Sequence, residues 1–299
     1  MAFYAPETPD LPLPPGHRFP AVKYRLLRER AVRDGLFRAT GLRSSPSATL
    51  AELTRAHDPG YVHAVMSGGL CEEAIRRIGI PWSEVLVARS LATVGGSLAA
   101  ARDALQHGIA GQLAGGTHHA HRDFGSGFCV FNDLAVAALT LLDEGAVRRV
   151  TILDCDVHQG DGTAAILAGV ATVQTISLHG AKNFPFRKVA SGVDIALADE
   201  TGDVAYIEEL ETALDKVAQF SPDLLLYLSG ADALAADRLG RLSLSAAGLR
   251  ARDEAVFRFA HARGLPVSIA IGGGYAEPIS ITVDAYLETF RAARAVYGF

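Results

Sequence analysis

Cysteine is scarce in this chain: Cys71, Cys129 and Cys155 are the three among 299 residues, an odd number without CxxC spacing. That argues against a disulfide framework and against a cysteine-built zinc site. There is no basic excess either, because the net charge is −5 and the pI near 6.1. Nucleic acid and an anionic membrane surface therefore have no electrostatic claim as the main partner. No apolar run reaches the roughly 18 residues that a membrane span needs, and the opening Met-Ala-Phe-Tyr-Ala-Pro lacks the basic region and apolar core of a secretory leader. A reducing, cytoplasmic setting is the expectation. Internal repeats and low-complexity linkers are also missing, and with 49% hydrophobic and 20% charged residues the chain suits one large domain over 1–299.

Helical and strand patterns alternate through most of the chain. Six prolines in residues 1–20 forbid regular structure there, apart from a short strand at Phe3 and Tyr4. His17 and Arg18, just beyond the prolines, read as surface residues. Residues 21–34 read as an amphipathic helix whose basic side chains Lys23, Arg25, Arg28, Arg30 and Arg33 form a solvated face. Ser83 suits the N-cap of a long alanine-rich helix ending at His107 before Gly108, with Gly95 and Gly96 inside it implying close packing or a kink. Asn132 caps a helix over 133–144, and further helices are expected over 203–219, 245–263 and 282–297. Between them lie short apolar runs at 112–114, 150–153, 172–177, 223–228 and 267–271. This alternation predicts an α/β fold with a central, mostly parallel β-sheet and helices on both faces.

The chemistry lies in the residues immediately after each run. In order, the runs lead into Gly115, Gly116, Thr117, His118 and His119; into Asp154, Asp156 and His158; into Ser177, Leu178 and His179; into Gly230 and Asp232; and into Gly272, Gly273, Gly274 and Tyr275. Open α/β sheets bind ligands outside the carboxyl ends of their strands, so these loops should meet at one edge. Asp156, His158 and Asp232 could then supply two carboxylates and an imidazole to a divalent cation, leaving positions open for water and substrate as in a catalytic metal centre. Such a set is hard enough for ferrous iron to compete with zinc. Two adjacent histidines need polar partners when buried, and Asp154 and Asp161 are available. A histidine so held can act as general base and then general acid, while Tyr275 can donate a hydrogen bond to an oxyanion. Together these groups describe metal-assisted hydrolysis of an amide. Taken singly each has a plainer explanation: a capped strand end, a core ring at Phe128, a packed ring at Tyr275.

The ordered set His118-His119, Asp154-Cys155-Asp156-Val157-His158-Gln159-Gly160-Asp161-Gly162, Gly230-Ala231-Asp232 and Gly272-Gly273-Gly274-Tyr275 resembles the zinc-dependent histone deacetylase family, of arginase/deacetylase fold, over nearly the whole chain. The short length, the Leu11 to His17 opening, Gln159 after His158, and Asp237-Arg238-Leu239-Gly240-Arg241 look most like its class IV and related bacterial members. The resemblance implies Asp156, His158 and Asp232 as zinc ligands and Tyr275 as the transition-state tyrosine. It pairs His119 with Asp161 as the general acid/base and His118 with Asp154 as the electrostatic partner. It implies a tunnel for the acyl-lysine tether bounded by Gly127, Phe128, Phe184 and Gly273, and a structural potassium ion near Asp154, Asp156, His158, Ser177 and Leu178. The substrate would be an acylated lysine in a protein or peptide, or a small acylated amine such as an acetylpolyamine. Two rival readings are a dinuclear manganese ureohydrolase of the same fold and a non-catalytic binder of acylated amines. The first would need further bridging carboxylates, where the chain has Gly160 and lacks an Asp-Pro pair after Asp232. Mere binding would not require Tyr275, His118 and His119 together.

Overall fold

The computed structural model describes residues 2–37 and 41–299. In chain order the elements are β1 (Phe3–Ala5), α1 (Val22–Arg33), β2 (Leu42–Ser44), α2 (Leu50–Ala56), α3 (Pro59–Ser67), α4 (Glu72–Ile78), α5 (Glu84–His107), β3 (Ile109–Gln112), α6 (Asp133–Asp143), β4 (Val150–Asp154), α7 (Asp161–Leu167), β5 (Val173–Gly180), β6 (Val193–Leu197), α8 (Asp203–Phe220), β7 (Leu224–Ser229), α9 (Ala246–Ala262), β8 (Val267–Ile271) and α10 (Ser280–Tyr297). The strands form one sheet in the order β2-β1-β3-β8-β7-β4-β5-β6, and every pairing is parallel.

A parallel sheet needs cover on both faces, and side-chain alternation along the central strands supplies it. On β7, Leu225 and Tyr227 pack into one core with Leu210 of α8, Phe257 of α9 and Phe290 of α10. Leu224, Leu226 and Leu228 point into the other, with Val94 of α5, Leu134 of α6 and Val65 of α3. The helix starts are held as their sequences suggest: Ser83 Oγ accepts from the Leu86 amide at 3.1 Å, and Asn132 Oδ1 accepts from Ala135 at 3.0 Å. α5 runs unbroken for 24 residues because Gly95 and Gly96 serve close packing: a Cβ at Gly96 would lie 1.5 Å from Gln112 Oε1. Length and composition would let α5 span a bilayer, but most of it is buried in the fold.

Three expectations need correction. The strand expected at 112–114 ends where it was to begin, and β3 occupies Ile109–Gln112 instead, because the backbone leaves the sheet at Leu113 to reach Gly115 and Gly116, both at positive φ. Lys23 is not on a solvated face: at 1% exposure it shares the buried stripe of Leu27 and Ala31 at spacing four. His17 is not simply on the surface, since its Nε2 meets the Gly79 carbonyl at 2.9 Å and anchors the proline-rich segment over α4.

The connections place the site. β4 is followed outward by β5 and β6 on one side, and the chain then returns through α8 to β7 and β8 on the other. The sheet thus changes direction at β4, the topological switch point where a crevice opens beyond the strand ends.

Candidate active site

β4 stops at Asp154, and two side chain to backbone turns reshape the chain beyond it. Asp154 Oδ1 accepts from the Asp156 amide at 3.0 Å, and Asp156 Oδ1 accepts from the His158 amide at 2.9 Å. The turns send Asp154 toward His118, while Asp156 and His158 turn to the end of β7. There the ligand atoms of Asp156, His158 and Asp232 all lie within 4.8 Å of one another. His158 Nδ1 sits 2.9 Å from Asp156 Oδ1 and 3.1 Å from Asp232 Oδ2. All three residues are buried.

This donor set fits a metal. Ligands about 2.0 Å from a tetrahedral zinc ion stand roughly 3.3 Å apart, close to the spacings found here. The charges fit too. Burial and the neighbouring Asp156 carboxylate push Asp232 up to about 7. Burial pulls His158 down, but Asp156 and Asp232 outweigh it and raise the ring to about 10. Two carboxylates and one imidazole make a donor set whose formal charge, with the imidazole neutral as a ligand must be, offsets that of a divalent ion.

The glycines let backbone approach this cluster. A Cβ on Gly273 would lie 1.8 Å from Asp232 Oδ2, and without one the Gly273 amide donates to Asp156 Oδ2 at 2.5 Å. Tyr275 lies on the same loop, its ring 6.4 Å from that of His158. Burial, then Asp156 and Asp232, hold its hydroxyl well above the ordinary phenol range, so it stays a donor.

His118 and His119 come from the loop after β3. Carboxylates can only accept, so His118 Nδ1–H donates to Asp154 Oδ2 at 2.7 Å and His119 Nδ1–H donates to Asp161 Oδ1 at 2.6 Å. Asp161 opens α7 and also meets His121 Nε2 at 3.0 Å. The two rings lie 4.1 Å apart in different fields. Burial opposes a charge on His118, but Asp154 and Asp156 overcome it and raise the ring to about 9. Burial and then the charge on His118 lower His119 to about 4.

The aromatic residues stand above this floor. Phe128, at φ 68°, and Phe184 both border the outer cavity, and the Phe184 ring packs edge-on to His119 at 4.8 Å. A Cβ on Gly127 would lie 2.6 Å from the His119 ring, so only glycine brings this backbone so close. Of the residues named for potassium, Asp154 and Ser177 are register partners on β4 and β5, and Leu178 is next along the same strand. Cys155 packs as a small apolar side chain, and His179 Nδ1 meets Ser177 Oγ at 3.0 Å.

Four supporting residues have no role at the site assigned from the sequence, although Asp237 opens one of the stretches that carries the resemblance. Asp133, beside the Asn132 cap, accepts from the amides of Gly116 and Thr117 at 3.1 and 2.8 Å and so shapes the loop that carries the histidines. Asp237 accepts from the Tyr275 amide at 2.6 Å, and Lys23 donates to the Gly274 carbonyl at 3.1 Å. Arg252 is buried on α9, ion-paired with Asp253 at 2.9 Å, and donates to the carbonyls of Gly230 and Cys155 at 2.6 and 3.3 Å. It ties together the loops that bear Asp232 and Asp156. A signal existed for Lys23, whose spacing sets it on an apolar stripe; Arg252 lies within a helix rich in charge and offered none.

The chain as a whole has relatives among known proteins. The family model of the histone deacetylase domain matches residues 17–289. An uncharacterized protein of Picosynechococcus sp. is 43% identical over 300 residues, covering 99% of this chain and 100% of that protein. Histone deacetylase 2 of Arabidopsis thaliana is 28% identical across 87% of this chain and 70% of its own length. For histone deacetylase 1 of Homo sapiens the identity is 29%, across 87% of this chain and 58% of its own length. Among solved structures, the HDA15 HD domain superposes with a TM-score of 0.82 at 22% identity, covering 99% of this chain and 88% of that one, a likeness of fold.

Proposed function

Since the chain belongs to the histone deacetylase family, whose members are hydrolases of amides, we propose that it is a zinc-dependent deacylase that removes an acetyl or longer acyl group from the ε-amine of lysine. The observation that carries this reading is the convergence of Asp156, His158 and Asp232 beside two histidine–carboxylate pairs at the end of one cavity. Asp156, His158 and Asp232 would hold the ion, which when bound supplies Lewis-acid polarisation of the acyl carbonyl and a lowered pKa for water. Ferrous iron is the competing occupant for this oxygen-rich set.

The protein's own groups do the rest. His119 carries its proton on Nδ1, so Nε2 offers the lone pair that takes a proton from the attacking water. The same ring then returns a proton to the departing amine. His118, cationic between Asp154 and Asp156, offsets negative charge as the carbonyl becomes tetrahedral. The Tyr275 hydroxyl donates to the developing oxyanion. Gly127, Phe128, Phe184 and Gly273 bound the passage for the alkyl tether. Asp154, Asp156, His158, Ser177 and Leu178 would hold the structural potassium ion that the family resemblance implies.

The test is a panel of ε-acyl-lysine peptides of increasing chain length beside acetylpolyamines, assayed with and without added zinc. Zinc-dependent release of the acyl group from lysine supports the reading. Urea release from guanidino compounds with two manganese ions per chain, or no acyl release from any substrate, would end it.

A further inference from the structure

We propose that the mouth of the site is a cationic funnel that favours acylated lysines flanked by acidic side chains. The proposal rests on the deacylase reading of the same site. The floor of the site opens outward into a cavity of about 760 Å³ lined by Arg18, Arg77, Lys182, Arg238 and Arg241. No acidic residue lines it among the described residues. The five cations come from four separate segments: the proline-rich opening, the end of α4, the turn after β5, and the loop between β7 and α9. They gather at one opening in a chain whose net charge is −5.

The carboxylates paired with them only partly offset this charge, three against five cations. Glu73 pairs with Arg77 at 3.2 Å and Glu277 with Arg238 at 2.7 Å, while Asp199 is shared between Lys182 at 3.3 Å and Arg241 at 3.1 Å. Arg18 is exposed and makes no ion pair among the described residues. Exposed pairs of this kind are worth little, so an arginine can exchange its partner for a carboxylate on a bound peptide at small cost. A cleft with low-dielectric walls concentrates the field of its rim. Because acylation removes the charge of the lysine itself, the electrostatic choice falls on its neighbours. Acidic neighbours would be drawn in, and a basic segment would meet like charges. The ring of Phe186, 89% exposed at the same rim, offers apolar contact beside the cations.

Three acetyl-lysine peptides of equal length test this, differing only in two glutamates, two serines or two arginines on each side, with the zinc-loaded full chain. At about 0.02 M salt, kcat/KM for the acidic peptide should exceed that for the basic one at least about 10-fold, and the ratio should collapse toward about 2 at roughly 0.5 M salt. Arg18→Glu and Arg238→Glu should each lower the ratio at least about 5-fold. Equal rates on all three peptides, or a preference for the basic one, would overturn the funnel while leaving the deacylase reading intact. In a second arm, fluorescence anisotropy follows labelled acidic and basic peptides, and a short single-stranded oligonucleotide, on the metal-free full chain. If no peptide is hydrolysed the deacylase reading fails, and this arm still decides. Tighter binding of the acidic peptide, weakened by Arg18→Glu, supports the funnel. Equal binding of the two peptides, or an oligonucleotide bound at least as tightly as the acidic one, overturns it.

Discussion

The ammonium of Lys23 lies 4.9 Å from the centre of the Tyr275 ring, a buried cation held against the proposed oxyanion donor. Lys23 Nζ also donates to the Gly274 carbonyl and to Tyr286 Oη, both at 3.1 Å, so it grips the residue before Tyr275 as well as its ring. From the other side Asp237 Oδ2 accepts the Tyr275 amide at 2.6 Å, while Asp237 Oδ1 accepts from Leu239 and Gly240. Side chain and backbone are thus fixed from two directions, which is what a preorganised donor requires.

Loosening that grip should slow the chemical step more than binding. Asp237→Asn and Lys23→Met are expected to lower kcat about 10- to 100-fold with KM within roughly threefold of the parent, as loss of a group positioned for the transition state would do. Steady-state kinetics with zinc content measured on the same samples checks this. A change confined to KM, or lost zinc, would place these residues elsewhere in the machinery.

Tyr275→Phe and His119→Ala address the chemistry directly. Each should cost at least about 100-fold in hydrolysis of an acyl-lysine reporter, the scale of a lost oxyanion donor or acid/base group. Neither residue belongs to the Asp156, His158 and Asp232 cluster, so bound zinc should be unchanged. Near-normal turnover in either variant would remove that residue from the mechanism.

The reach of sequence reading followed the physics of each signal. Strands β4, β7 and β8 were legible because fully buried parallel strands write unbroken apolar runs, and α5 and α6 because their caps are local. The edge strands β2 and β6 were missed: three and five residues long and partly exposed, they carry no such run. The short helices α2 to α4 and α7 were too brief for a period to emerge. Convergence of the strand-end loops could be anticipated from a rule about parallel sheets, but the inward turn of Lys23 and the bridge made by Arg252 depend on tertiary packing that no local pattern records.

That bridge gives another prediction. Arg252→Met removes the cationic partner of buried Asp253, which keeps only the hydroxyls of Tyr227, Ser229 and Thr289, and the donors to the Gly230 and Cys155 carbonyls. Stranding a buried charge costs about 3–5 kcal/mol, so urea unfolding should show a loss of that order. Zinc affinity should fall with it, because the loops bearing Asp156 and Asp232 lose their tie. The double variant Arg252→Met with Asp253→Leu, which leaves no stranded charge, should regain much of the stability without regaining the affinity. A double variant as unstable as the single one would show that the hydrogen bonds, and not the charge, dominate.

His57 makes the fold sensitive to acid through a group outside the Asp156, His158 and Asp232 cluster. Its ring is fully buried, with Nδ1–H donating to the His121 carbonyl at 2.9 Å and Nε2 accepting from the Asn132 amide at 2.9 Å. Both nitrogens are used in the neutral form, and a second proton would have to displace the Asn132 amide. Burial lowers the ring from 6.5 to about 4. The unfolded chain therefore takes up a proton below about pH 6.5 that the folded chain refuses until about pH 4, so the stabilisation His57 confers is complete above pH 6.5 and lost as the pH falls through that window. The span corresponds to about 3 kcal/mol. In His57→Gln the titration is gone. Urea unfolding of the metal-free proteins should find the parent the more stable near neutral pH, with that advantage shrinking by up to about 3 kcal/mol on acidification to pH 4. Metal-free samples keep ion release out of the comparison. An advantage that stays constant with pH, or an NMR titration placing the His57 midpoint near 6.5, would show that the ring accepts its proton in place and that burial does not govern it.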